Sequence, residues 1–253
     1  MLSAVKRNLF NQSIHSQLRK KIHILLVILL LGMSTELFSQ RNLTKQQQEF
    51  VNFLLPLVNQ ANNEITRQRT GIYSIYQDFK KNQVMSSNTR ELIFSYARLY
   101  KIKIPGDTTG FQFTDQHFKE LLKRVDIIPK KLVLAQAAIE SDWGRSRFVK
   151  EGNNYFGIQC YVPGCGVKAN EARDKNFWVK AYPSAIDCVR GYMLLLNSSK
   201  YYRNFRDLRI VNRLNTDLPD PFYVVKGLEN YSVKGREYIN SLIMIMRVNF
   251  FNL

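Results

Sequence analysis

Histidine is nearly missing from this chain. Of 253 residues only His15, His23 and His117 are histidine, and the first two fall in a leader-like segment. One histidine in the body of the chain excludes a histidine-rich zinc site and argues against a Ser–His–Asp triad. Neither G-x-x-x-x-G-K-[ST] nor G-x-G-x-x-G occurs, so nucleotide chemistry has no support. No internal repeat and no low-complexity segment breaks the chain. Long apolar runs are also lacking. The run ILLVILLL, Ile24 to Leu31, is well short of the roughly 20 apolar residues that span a bilayer. Acids are scarce, with 20 Asp and Glu against 37 Lys and Arg.

The short apolar run has a meaning of its own. It follows a polar, basic stretch with Lys6, Arg7, Arg19, Lys20 and Lys21, and it fades into STELFSQ. That order reads as a secretory signal peptide over residues 1–40, cut near Ser39, with a retained signal anchor as the alternative. The expected location is therefore secreted, periplasmic or in the cell envelope. A membrane contact arises only through an uncleaved anchor. Residues 41–253 still carry a net charge of +13, and such a surface attracts polyanions. For an exported protein the nearest are cell-wall polymers, anionic lipid and extracellular DNA, of which nucleic acid is not the expected partner. In an oxidising compartment Cys160 and Cys165 can close the small loop CYVPGC. Cys188, on the apolar run AIDCVRGYMLLL, is then left as a buried structural thiol.

The body reads as mostly helix. TKQQQEFVNFLLPLVNQANNEITRQ has Phe50, Phe53, Leu54, Leu57, Val58 and Ile65 at helical spacing, with a kink expected at Pro56. IYSIYQDFKK continues it. Asn88, three before Glu91, marks a second start, and a short helix begins near Thr114 or Asp115. Pro129 then opens PKKLVLAQAAIESDWG, apolar almost all round and therefore a core helix. Gly144 is its expected stop. From Asn153 to Tyr182 short aromatic and β-branched segments alternate with turn residues, a small β-hairpin or lobe. Helices resume to the C-terminus. Residues 41–128 form an N-terminal helical part and 129–253 the core, read together as one mainly α domain with a small β insertion.

Glu140 ends the core helix. An apolar setting raises a carboxyl pKa, and so does the partial negative charge of a helix C-terminus. A carboxylic acid kept protonated near neutral pH is what a general acid needs. The bland alternative is a glutamate that caps or salt-bridges at a helix end. Asp142 points away and is a poor partner. Behind it come Trp143 and GNNYFG. Asn153, Asn154, Tyr155, Phe156 and Gly157 read either as ordinary turn chemistry or as one wall of a sugar cleft.

LAQAAIESDWGRSRFVKEGNNYFGI closely resembles the signature of bacterial endo-β-N-acetylglucosaminidases of glycoside hydrolase family 73, and QCYVPGCG after it resembles the Bax-like branch. The likeness is dense from Leu134 to Gly166 and looser through AIDCVRGYMLLLN and ENYSVKGREYINSLI. It implies a lysozyme-like α fold with a β-lobe and a cleft between them, with Glu140 as the catalytic acid and Tyr231 of ENYS, the motif tyrosine, as a second catalytic residue with its hydroxyl at the cleft. Where the family often has glycine this chain has Asp142. Trp143 and the residues from Asn153 to Gly157 would shape the sugar site. A second carboxylate about 5–9.5 Å away is needed for two-carboxylate hydrolysis. Glu171 is the first candidate and Asp174 the second, and the substrate's N-acetyl group is a third route. No metal and no cofactor are implied. The implied activity is cleavage of β-1,4 bonds beside N-acetylglucosamine in peptidoglycan. A lytic transglycosylase and a non-catalytic wall-binding protein are the alternatives.

Overall fold

The computed structural model describes residues 42–106, 110–168 and 177–250. The leader expected over residues 1–40 lies outside them. The first helix, α1, is Lys45–Asn82. Thr44 starts it with a capping box: Gln47 N donates to Thr44 Oγ1 at 3.3 Å, and Thr44 N donates to Gln47 Oε1 at 3.0 Å. The helix passes Pro56 and Gly71 without a break. Its buried face is Phe50, Val51, Leu54, Val58, Ala61, Ile65, Ile72 and Tyr76, the 3–4 residue spacing of one stripe. Phe53 departs from expectation. It lies outside that stripe and is 52% exposed.

Helix α2 is Ser87–Leu99. It starts two residues earlier than a cap at Asn88 suggests, because the Ser86 hydroxyl caps it by accepting from Thr89 N at 3.3 Å. Helix α3 is Asp115–Arg124, entered from Thr114. Helix α4 is Lys130–Ser141, and every residue from Leu132 to Ala138 is buried. Both α1 and the last helix pack on it. A short helix α5, Arg147–Gly152, leads into a three-stranded antiparallel sheet. The strands are β1 (Gln159–Cys160), β2 (Gly166–Lys168) and β3 (Trp178–Lys180), with β3 central. Cys160 pairs with Trp178, and Val167 with Val179. Gly166 is required there, since a Cβ would fall 1.9 Å from Val179 O.

Helix α6 (Ala185–Ser198), a 3-10 turn (Lys200–Tyr202) and α7 (Arg203–Arg213) follow. Next come α8 (Pro221–Val224), a 3-10 segment (Val225–Tyr231) and α9 (Arg236–Asn249). One apolar core runs from Phe50 on α1 through α4 and α6 to Phe250, so residues on both sides of position 128 share it. The chain is a mainly α, lysozyme-like helical domain with a small β-lobe after its central helix. No helix among the described residues is long and apolar enough to cross a membrane.

One buried charge ties α1 and α7 to the turn before α4. Asp126 is 2% exposed. Arg213 grips it through Nε and Nη2, both at 2.6 Å. The wholly buried Arg209 lies 3.6 Å away and Arg69 of α1 4.0 Å away. Burial alone would raise the Asp126 carboxyl, but Arg209, Arg213 and Arg69 outweigh it and hold it below its ordinary value. A carboxylate depressed in the fold contributes stability above its unfolded pKa, about 3.9. That contribution is lost as the pH falls through the lower folded value. Asp126→Asn should leave Arg209 buried without its counter-charge and destabilise the domain by about 3–5 kcal/mol. Denaturant melts at pH 7 check this, and a loss under 1 kcal/mol would contradict it.

Candidate active site

The end of α4 is built from an unusual turn. Asp142, Trp143 and Gly144 are three consecutive residues with positive φ, at 50°, 54° and 80°. Left-handed backbone costs roughly 1–2 kcal/mol for a residue with a side chain, so the turn needs support. Ser141 Oγ donates to Ala137 O at 2.6 Å and accepts from Gly144 N at 2.8 Å. Trp143 N donates to Ala138 O at 2.9 Å, and Ser146 N to Ser141 O at 3.0 Å. The Trp143 ring packs against Phe50 and Phe250, at 5.6 and 5.9 Å between centroids. Asp142 is exposed and takes Arg145 in a two-point ion pair, at 3.0 and 2.6 Å. The helix therefore stops at Ser141, before the glycine expected to end it. Position 142 has the backbone that glycine adopts freely, and this chain places Asp142 there.

Glu140 sits just inside this turn and is half-buried. Burial raises its pKa above the ordinary carboxylate value, and a hydrogen bond from Tyr238 partly opposes that. Its Oε2 faces the loop that follows α5. A Cβ on Gly157 would stand 3.0 Å from that oxygen, and Gly157 has φ +64°. Glycine is thus required at 157 for its backbone and for its closeness to the acid.

Asn154 clasps the loop in place. Its Nδ2 donates to Ile158 O at 2.9 Å and to Lys180 O at 2.7 Å, while its Oδ1 accepts from Phe156 N and Ile158 N, both at 3.2 Å. This ties the loop to β3. Asn153, at φ 50°, donates to Tyr182 O at 3.0 Å. The Tyr155 ring packs beside Phe50 and Phe53, and its N–H donates to Cys188 Sγ at 3.4 Å. Cys188 is a free, buried thiol whose pKa burial pushes up to about 12. A disulfide joins Cys160, the last residue of β1, to Cys165, the residue before β2.

A cluster of aromatic rings closes the other side. Phe156 stacks on Tyr192 at 3.9 Å, and its carbonyl accepts from the Tyr231 hydroxyl at 2.8 Å. Tyr231 stacks on Tyr238 at 5.7 Å, and Tyr202 lies 5.8 Å from Tyr231. Burial first, and then neighbours including Glu140, raise all four tyrosines above the ordinary phenol value, Tyr202 to about 12. Among the described residues the Glu140 carboxyl is thus surrounded by hydroxyls that are neutral at neutral pH. Glu140, Gly157, Phe156 and Tyr231 come together here, while Asn153, Asn154 and Tyr155 support the loop from behind and Trp143 holds the turn. Glu171 and Asp174 lie outside the described residues. Tyr192, Tyr202, Tyr238 and Gln136 were not singled out from the sequence. The legible signal was Gln136, a polar residue one turn before Glu140 in an otherwise apolar run.

The sequence is similar to those of known proteins. The family model described as Glucosaminidase, mannosyl-glycoprotein endo-beta-N-acetylglucosaminidase, matches residues 115–249. Protein bax of Escherichia coli K12 is 28% identical over 206 residues, 81% of this chain and 70% of that protein. A putative endo-beta-N-acetylglucosaminidase of Streptococcus pneumoniae serotype 4 is 26% identical over 42% of this chain, which spans 16% of that relative. Peptidoglycan hydrolase FlgJ of Escherichia coli K12 is 24% identical over 48% of this chain and 42% of its own length. No solved structure matches the chain significantly.

Gly157→Ala should destabilise the domain more than Gly164→Ala. Both positions have positive φ, but nothing lies within 4 Å of a Cβ at 164. The shared backbone cost is roughly 1–2 kcal/mol, and the excess at 157 reports the contact with Glu140. That excess should vanish in a Glu140→Ala background. Equal losses at the two glycines in thermal melts would place Glu140 away from the loop.

Proposed function

The chain belongs to the glucosaminidase family, whose model covers more than half of it, and on that premise we propose that it is an exported peptidoglycan hydrolase. Its reaction is endo-β-N-acetylglucosaminidase cleavage of β-1,4 glycan bonds, with Glu140 as general acid. The observation that carries this reading is the half-buried Glu140 at the end of an apolar helix, its pKa raised by burial, facing a glycine that no side chain could replace without crowding it.

The chemistry follows from the carboxyl's state. A protonated Glu140 gives its proton to the glycosidic oxygen as the bond breaks and positive charge develops on the sugar ring. Tyr231 braces the Phe156 carbonyl and with it the loop beside Glu140. Water then attacks the oxocarbenium-like centre. Glu171, Asp174 or the substrate's N-acetyl group is the supporting second group. Export is supported by the basic segment and short apolar run of residues 1–40, and contact with anionic wall polymer by the net charge of +13 beyond them. An intact acid argues against a binding-only role.

Glu140→Gln keeps the shape and removes the transferable proton. Lysis of purified sacculi should fall by roughly 10²–10⁴-fold, with the melting temperature nearly unchanged. Lysis at the wild-type rate in this variant would remove Glu140 from the reaction.

A further inference from the structure

Between Leu132 and Ile139, α4 carries one polar side chain, Gln136, and it is fully buried. A buried amide left unpaired costs about 1–3 kcal/mol, so its partners say what it is for. Its Oε1 accepts from the Tyr192 hydroxyl at 2.5 Å, and its Nε2 donates to the Tyr238 hydroxyl at 3.0 Å. A tyrosine hydroxyl has one proton to give. Since Tyr238 accepts from Gln136, its own proton points elsewhere, and Glu140 is the carboxyl that interacts with its hydroxyl. Gln136 and Glu140 are four residues apart, on one face of the helix. The bonds therefore run in one direction, from Tyr192 on α6 through Gln136 on α4 to Tyr238 on α9, and leave the Tyr238 proton available to Glu140.

We propose that Tyr238 is a positioning residue for the Glu140 acid: oriented by Gln136 and Tyr192, its hydroxyl keeps one carboxyl oxygen as a hydrogen-bond acceptor, so that the transferable proton is confined to the other oxygen. The catalytic consequence rests on the hydrolase reading above; the chain of bonds does not. Confining the proton does two things. It fixes the plane of the carboxyl, as productive transfer to a glycosidic oxygen requires. It also leaves Glu140 able to give the proton up, because a donor aimed at the carboxylate stabilises the product of transfer.

Among the described residues, the titratable groups facing Glu140 are Tyr192 from α6, Tyr202 from the 3-10 turn, Tyr231 from the 3-10 segment and Tyr238 from α9. All are neutral near pH 7. Tyr238→Phe removes the donor and leaves burial unopposed, so Glu140 should hold its proton to higher pH. The alkaline limb of lysis, where the acid loses its proton, should move the same way. Phenylalanine keeps the ring that stacks on Tyr231, so a tyrosine that merely packs would move neither.

The test follows the Glu140 carboxyl in the full chain by 13C NMR, assigned by its loss in Glu140→Gln, alongside the pH profile of sacculus lysis. Tyr238→Phe is expected to move the titration and the alkaline limb upward. It should also lower kcat about tenfold with KM little changed. Tyr192→Phe, which frees the amide to turn, should shift both in the same direction by less. An unmoved titration with wild-type kcat in Tyr238→Phe would overturn the proposal. If that variant does not melt cooperatively, Tyr192→Phe decides, and an unmoved titration there overturns it equally. A titration that moves in a chain whose wild type does not lyse sacculi would keep the relay and sink the hydrolase reading.

Discussion

The carboxyl of Glu140 is held half out of water at the end of a helix that has no solvated face, and the structure around it answers to that cost. Burying a carboxylate without compensation is strongly unfavourable. Among the described residues no cation relieves it. It surrounds Glu140 with tyrosine hydroxyls that are themselves kept neutral by burial, and it offers one hydrogen bond, from Tyr238. A nearby arginine would have fixed the group as a permanent anion, which is how Asp126 is held elsewhere in the same core. The two buried carboxyls thus have opposite surroundings. Asp126, among three arginines, stays ionised and braces helices; Glu140, among phenols, is left able to carry a proton.

The position of that proton depends on strained backbone. Three left-handed residues after Glu140 turn the chain sharply away from the helix, and Gly157 brings the next loop back against the carboxyl. Such strain persists only where the surroundings over-determine it. Here the Ser141 bridge, the Trp143 packing on Phe50 and Phe250, and the Asn154 clasp to β3 do so. They explain why so many asparagines and glycines follow directly on an apolar helix. One set makes the turn and the other pins the returning loop.

Much of this was legible in the sequence, and for physical reasons. The helices show because their apolar periodicity is a local property, and α4 shows as a core helix because it is apolar all round. Glu140 stands out because an acid at the end of such a run is costly. The boundaries were less legible. The helix ends at Ser141 because Asp142 adopts the left-handed backbone, a choice set by contacts with Trp143 and Arg145 that the eye gives to Gly144 instead. Phe53 fits the apolar spacing yet lies outside the buried stripe. The tyrosine cluster was not visible at all beyond Tyr231. Tyr192, Tyr202 and Tyr238 are more than fifty residues from Glu140 along the chain, and only the packing of α6 and α9 against α4 brings them together. Gln136 was the single local trace of it.

The account stands or falls on the acid delivering its proton to a glycan and water completing the break. Digestion of peptidoglycan by the purified chain in oxygen-18 water, followed by mass spectrometry of the fragments, tests this most directly. One oxygen-18 at the reducing end of N-acetylglucosamine is the expected result. Unlabelled 1,6-anhydro-muramic ends, or intact glycan strands, would contradict it.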